Sequence, residues 1–421
     1  MAFMRFKFAL QCIVLAGLMG ASAGSFAQKI VLTVAAYPAV DDIVKTALVE
    51  WQRKHPQVDV KVVSREFTDH HTAMTTALAT SSGLPDVMAL EYGFLGRFAQ
   101  GGGLTDLSKS PFNADSVKDQ FVDYAYAQAY SPQHGQSALP TDIGPGTLFY
   151  RKDILDKAGV SEQDLTASWN SFVNAGEKIK KQTGAYLLAH ARDLKDIIIR
   201  SHVPVGSGIY FDSQGKVLVA QDPRFKLAFE KALQVRTAGL DAKINAWSNE
   251  WGESFKRGSV ATQMMGAWLG GHLANWLAPT TKGLWRASPL PEGVKASWGG
   301  TFYAIPQRAA QKDLAWDLIR HLTLSKEQQL AAFEKFDAFP ALKQVHQGPF
   351  FNQPIEFLGG QKARLIWRDT AHSIKASKVF KHDAIAEEIV NAELDLVLTR
   401  GKKIPDALKD AQALIERRAR R

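Results

Sequence analysis

The segment Ile30-Val31-Leu32-Thr33-Val34 is an almost unbroken β-branched, apolar run, the composition of a strand covered on both faces of a parallel sheet. The period then changes. Ile43, Val44, Ala47, Leu48 and Trp51 fall on one helical stripe, and His55-Pro56 ends it because the residue before a proline is driven out of the helical region. Val58, Val60 and Val62 alternate with Asp59 and Lys61, which is strand periodicity. A second helix over residues 69–82 stops at Gly83-Leu84-Pro85, and Asp86-Val87-Met88-Ala89-Leu90 supplies another short apolar strand. Repeated β-α-β order predicts right-handed crossovers, with helices on both faces of a sheet.

Later helices carry their own punctuation. Ser168 precedes Trp169, Phe172, Val173 and Ile179, and Asp222-Pro223 puts a cap and a first-turn proline before Phe225, Phe229 and Leu233. Ser325 with Gln328 has the spacing of a capping box. From Asp383 onward the pattern gives two helices split at Arg400-Gly401. No repeat or low-complexity tether interrupts the chain, so two α/β lobes are expected to be interleaved rather than strung on a linker.

The first 27 residues follow none of these periods. Arg5 and Lys7 stand in an acid-free start, Phe8 to Gly20 is apolar, and Ser25-Phe26-Ala27 supplies the small residues of a cleavage site. This is expected to be a secretory signal with mature start at Gln28, since the run is too short to span a bilayer. Gln11 before Cys12 argues against lipidation. Cys12 is the sole cysteine, so the exported chain would contain no thiol, disulfide or zinc-thiolate site. At 421 residues, with 46% hydrophobic and 22% charged positions, a folded chain of two or three domains is expected. Loss of Arg5 and Lys7 takes the formal charge from +9 to +7. Much of that excess lies around Arg400 and in Arg417–Arg421, which reads as solvated helix ends, and no nucleic-acid partner is expected.

Motifs for catalysis are absent: there is no G-x-S-x-G, H-E-x-x-H, P-loop or G-x-G-x-x-G after a strand. Gly144-Pro145-Gly146 and Gly206-Ser207-Gly208 read as turns. His70-His71 reads as a solvated or capping pair, because neighbours on a helix point about 100° apart and cannot share one ion. No metal or cofactor is expected. The informative residues are aromatic and stand where the chain changes direction: Tyr37 after the first strand, Tyr92 after the 86–90 strand, Trp268 after the 260–267 strand, and Trp298 before Gly299-Gly300. In open parallel sheets ligands sit beyond the carboxyl ends of strands. A pyranose, with an apolar C–H face and a rim of hydroxyls, suits aromatic planes flanked by polar acceptors, for which Glu91, Asp142 and His190 with Asp193 are candidates. Glu91 and Asp142 could equally cap the helices after them. Trp51, Trp169 and Trp316 lie on helix stripes and read as core, while Trp247 and Trp251 read as packing between lobes.

Ser82-Gly83-Leu84-Pro85-Asp86-Val87 resembles the G-x-x-P-D-V signature of extracellular solute-binding proteins of family 1, the maltose-binding-protein-like carbohydrate-capturing subunits of ABC importers. Gly103-Leu104-Thr105-Asp106-Leu107 resembles their G-L-x-D-L, and Leu148 to Leu155 with Ala158-Gly159 resembles L-x-Y-x-K-D-L-F followed by A-G. Ser168-Trp169 with Phe172 resembles T-W-x-E-F, departing at Ser171; Phe255, Gly258, Ala261, Met264 and Gly266-Ala267-Trp268 resemble F-x-x-G-x-x-A-M-x-x-x-G-x-W, departing at Thr262. Further agreement comes from Gly299-Gly300 through Ile305-Pro306 and from the C-terminal helix.

The resemblance implies an α/β, two-lobed periplasmic-binding-protein fold of type II, each lobe a mostly parallel sheet flanked by helices, with the ligand cleft between them. The implied division is 28–140 plus 299–338 for the N-terminal lobe and 141–298 plus 339–421 for the C-terminal lobe, with crossings near Pro140–Gly144, Leu290–Trp298 and Asp337–Pro340. It implies a monomeric periplasmic protein, not an enzyme, whose partners are a carbohydrate and the permease subunits of an importer. Tyr37, Glu91 with Tyr92, and Trp268 match the family's pocket positions; Asp142, His190, Trp298, Gly299 and Gly300 are placed by looser analogy. Alternatives are the same fold tuned for a sugar acid, polyamine or anion, and a glycosidase using Glu91 and Asp142 as its carboxylate pair.

Overall fold

A computed structural model describes residues 29–420, so the leader and its cleavage site lie outside the described residues. Strand β1 (Ile30–Ala36) pairs in parallel with β2 (Val58–Ser64) over its whole length and with β3 (Val87–Glu91) at Val34 and Ala35. The Val40–Lys54 and Phe67–Thr80 helices make the crossovers, and the stripe from Ile43 to Trp51 is buried as its spacing predicts. Asp86 of the P-D-V motif acts as a fastener. Its carboxylate accepts from Thr33 N at 2.9 Å and Gln311 N at 3.0 Å, tying the start of β3 to β1 and to the Lys312–Leu324 helix.

After a small ribbon, β4 (Tyr130–Ser131) with β5 (Gly135–Gln136), comes the 14-residue β6 (Ala138–Arg151). Its second half is flanked by β7 (Thr262–Gly266) and β8 (Trp285–Ser288), and its first half by β9 (Ser297–Ala304), all antiparallel to it. Because β9 is also antiparallel to β3, strands β2, β1, β3 and β6 share one direction with β9 reversed among them. Beyond β6 the sense inverts: β7 and β8 share a direction, extended by parallel bridges Tyr186↔Val260 and Leu188↔Asp241, with β6 the reversed member. Two mostly parallel sheets thus share β6, and the order β2-β1-β3-β9-β6-β7 is continuous across both.

Gly144-Pro145-Gly146 is not a turn. All three residues are buried inside β6, where the register against β9 slips between Ile143 and Pro145, the place where a proline lacking its N–H does least harm to a ladder. A third extended segment lies alongside: Ile143 N donates to Phe339 O at 2.9 Å and Ala341 N to Thr141 O at 3.0 Å. Three chain passages therefore run side by side where the two sheets meet. Of the tryptophans expected in the core, Trp51 and Trp169 are buried, Trp51 donating to Asp317 at 2.8 Å, and Trp316 is half-buried against Phe112.

Candidate functional site

The loops after β1 and β3 build one wall. Tyr37 is buried with its hydroxyl 2.9 Å from Thr301 Oγ1 on β9 and its ring edge-on to Phe67 at 5.3 Å. Glu91 ends β3 and caps the Tyr92–Gly101 helix, its Oε2 accepting from Gly93 N at 2.6 Å. Its own N–H donates to His71 Nε2 at 3.0 Å, while His71 Nδ1 donates to Phe67 O at 2.8 Å, an arrangement that fixes the neutral tautomer. Burial pulls His71 down to about 3. The histidine pair is neither solvated nor capping: both rings are buried at 89° to each other, and His70 Nε2 donates to Ala89 O at 2.7 Å. Two adjacent side chains diverge by a helical step and so brace two successive parts of β3.

Asp142 is the only residue of β6 that is not fully buried. It lies opposite Thr301 across the ladder, and burial pushes its carboxyl up to about 6 against the pull of the Thr301 hydroxyl and amide. Burial likewise lifts Glu91 to about 7, opposed by the Gly93 N–H and reinforced by the negative charge of Glu387.

The facing wall belongs to β7 and the return into β9. Trp268 Nε1 donates to Trp298 O at 2.9 Å. Three glycines make room for that indole: a Cβ on Gly266 would fall 2.3 Å from Trp268 Nε1, and one on Gly144 would fall 1.8 Å from Trp298 O. Gly299, at φ +80, stands between the walls, its Cβ direction meeting Trp268 Nε1 at 3.2 Å and Glu91 Oε1 at 3.6 Å. Gly300 backs onto the Asp142 carbonyl. The Arg200 guanidinium lies 4.9 Å above the Trp298 ring, 3.3 Å from Glu387 and 3.7 Å from Asp196.

Tyr37, Glu91, Asp142, Trp268, Trp298, Gly299 and Gly300 are thus gathered around the crossing of β6 and β9. Tyr92 and His190 are not. Tyr92 follows Glu91 into the helix and turns its ring into the core. His190 caps the Ala191–Arg200 helix by accepting from Arg192 N at 3.0 Å, its other nitrogen 3.4 Å from Arg236. Its neighbour Asp193 is buried and accepts from Gln263 at 3.1 Å. Thr301 and Arg200 escaped the sequence reading; Arg200 ends its helix as any dipole-complementing cation would, and nothing local marks it.

The site offers two carboxylates, the Tyr37 and Thr301 hydroxyls and a half-buried indole. Among the described residues no cluster of three His, Cys, Asp or Glu is placed to hold a metal ion, and no helix is long and apolar enough to cross a membrane. The model of the family described as bacterial extracellular solute-binding protein matches residues 33–329. The chain belongs to that family. Among its relatives, a lactose-binding protein of Rhizobium radiobacter is 26% identical over 392 residues, 87% of each chain. An arabinooligosaccharide-binding protein of Halalkalibacterium halodurans is 25% identical over 393 residues, 89% of this chain and 86% of that one. In three dimensions, a solved extracellular solute-binding protein of family 1 superposes with a TM-score of 0.80 at 23% identity, over 92% of this chain and 99% of the other. The α/β, two-lobed type II fold expected from the sequence resemblance is that of the solved solute-binding proteins it superposes on.

Proposed function

We propose that this solute-binding protein is an exported, monomeric sugar-capturing component of an ABC importer: the leader 1–27 is removed, a neutral mono- or oligosaccharide is held between lobes 28–140 plus 299–338 and 141–298 plus 339–421, and the loaded form is read by permease subunits. The observation that carries it is the meeting of Glu91 and Trp268 over Gly299, one acceptor and one flat ring from opposite walls within reach of the same small guest. A pyranose lays its C–H face on the indole and donates hydroxyls to Glu91 and Asp142, with Tyr37 and Thr301 behind them. Because both walls are engaged only when the lobes are together, the sugar favours that state by its differential affinity. The curated relatives named for lactose and an arabinooligosaccharide point to the same ligand class.

Holding the sugar needs no turnover, and a glycan incubated with the purified protein should be recovered unchanged. Anionic sugars are disfavoured because Arg200 already faces Glu387 and Asp196. The test is a thermal-shift panel on the chain from Gln28: a ligand at one hundred times its dissociation constant adds about 2.7 kcal/mol to the native state. Trp268→Ala should weaken that ligand by at least about 1 kcal/mol without unfolding the protein. A broad sugar panel that leaves the melting temperature unmoved overturns the reading.

A further inference from the structure

The aromatic surface continues outward past Trp268. Trp247 lies 5.8 Å from Trp268 with the rings only 23° from parallel, His272 touches both at 5.4 and 5.8 Å, and Trp276 follows 5.6 Å beyond His272. Along this run the indoles pass from half-buried Trp268 to Trp247 and Trp276, which are 54% and 55% exposed. Large rings left in water forgo the burial that normally holds them.

Two backbone irregularities serve that display. Trp247 sits at φ +70, in the left-handed region that a bulky side chain occupies only under constraint, immediately before Ser248 caps the Asn249–Arg257 helix. The chain from Leu273 to Leu277 forms a π-helical turn, which keeps Leu273 and Leu277 buried while carrying Trp276 outward beside His272. Burial holds His272 at about 4, so its ring is neutral at pH 7 and interrupts the strip with no charge. Strain at one end, a widened turn at the other and ring contact throughout make a continuous apolar platform joined to the cleft.

We infer that Trp247, His272 and Trp276 form an outer binding strip for the second and later units of a linear oligosaccharide whose first unit lies on Trp268 and Glu91. Ring centroids 5.4 to 5.8 Å apart carry the run outward from the cleft in rings of differing tilt, whereas a monosaccharide enclosed in the cleft would leave the strip unused. The inference rests on the carbohydrate reading above and sharpens it, from sugars in general to oligosaccharides with one end projecting from the cleft.

Calorimetry on the chain from Gln28, with ladders of galacto-, arabino- and malto-oligosaccharides of one to four units, tests it. In at least one ladder the wild type should gain tenfold or more in affinity between one unit and three. Trp276→Ala should lose at least fivefold on the three- and four-unit sugars and less than twofold on the shortest, and Trp247→Ala should behave alike; Trp276→Phe should restore most of the gain. Trp268→Ala should weaken every length together. Affinity independent of length, or a Trp276→Ala protein that binds long sugars like wild type, overturns the strip and leaves the cleft reading standing. Wild-type binding combined with failed uptake by Trp276→Ala in cells assigns the strip to permease contact and also overturns it. If no ladder binds the wild type, the carbohydrate reading itself falls.

Discussion

The Glu91 carboxylate divides its oxygens between two tasks: Oε2 accepts from Gly93 N, and Oε1 faces Gly299 and the indole beyond it. Holding that group in a buried place lifts it from 4.5 to about 7, so the folded chain binds a proton more tightly than the unfolded one. The sign follows: the contribution to stability is full below the unfolded value of 4.5 and is lost as pH rises through about 7. Glu91→Gln keeps an acceptor for Gly93 and has no proton to lose. Its melting temperature should therefore match wild type at about pH 4, climb above it between about pH 4.5 and 7, and stay above it beyond. Asp383, also lifted by burial, is common to both proteins and does not appear among the charges that shift Glu91, whereas Asp142 does, so Asp142→Asn is the companion variant that separates the two carboxyls. Parallel melting curves across that range would sink the assignment. At this scale the sequence singled out Tyr37, Glu91 and Trp268 because an aromatic or acid follows a strand end, and all three lie at the crossing of β6 and β9. His190 and Tyr92 lie away from it, since a residue after a strand can point either into the cleft or back along its own helix, and spacing does not tell which.

Helix stripes, caps and the parallel β1–β3 unit were readable because one periodicity governs each element locally. The crossing strand β6 was not, because Gly144-Pro145-Gly146 carries turn chemistry and is held extended by what lies across from it. Close approach explains the glycine: no side chain fits between Gly144, the Trp298 carbonyl and the Trp268 ring. Gly144→Ala should force those groups apart, costing about 1–3 kcal/mol in overpacking. It should also break the Trp268–Trp298 hydrogen bond, weakening sugar tenfold or more, about 1.4 kcal/mol. Gly252→Ala is the matched control. It lies inside the Asn249–Arg257 helix, and its new methyl would meet Leu277 at an ordinary 3.4 Å, so stability should hold or rise slightly. Calorimetric unfolding and sugar titration of the two variants separate a tight crossing from a generally fragile backbone; equal behaviour would remove the crossing from the site.

At the scale of the whole molecule, interleaved α/β units foretold two lobes, but no period announced the strap between the Ala363–Ser373 and Asp383–Arg400 helices. Its Phe380 backbone packs on Gly96 of the Tyr92–Gly101 helix and its ring on Gly208 and Phe211. The Gln100 amide donates to Val379 O and accepts from Lys381 N at 3.2 Å, while Lys378 N donates to Ser207 O at 2.9 Å. With the lobe division proposed above, one short segment is thereby fastened to both lobes, and separating them must break one set of bonds. The Gln100 set is the anchor that one substitution can remove, since both of its hydrogen bonds come from a single side chain. Gln100→Ala deletes both of its hydrogen bonds at about 1 kcal/mol each, enough to move an open-to-closed ratio by roughly tenfold or more. The radius of gyration of the ligand-free variant should then exceed that of wild type in small-angle scattering and return to the wild-type value with saturating sugar. The apparent affinity should fall by no more than the loss in closed fraction, since the variant leaves every group in the cleft in place. Identical ligand-free scattering from the two proteins would mean that the strap only decorates the joint, and that closure is governed by the three crossing segments alone.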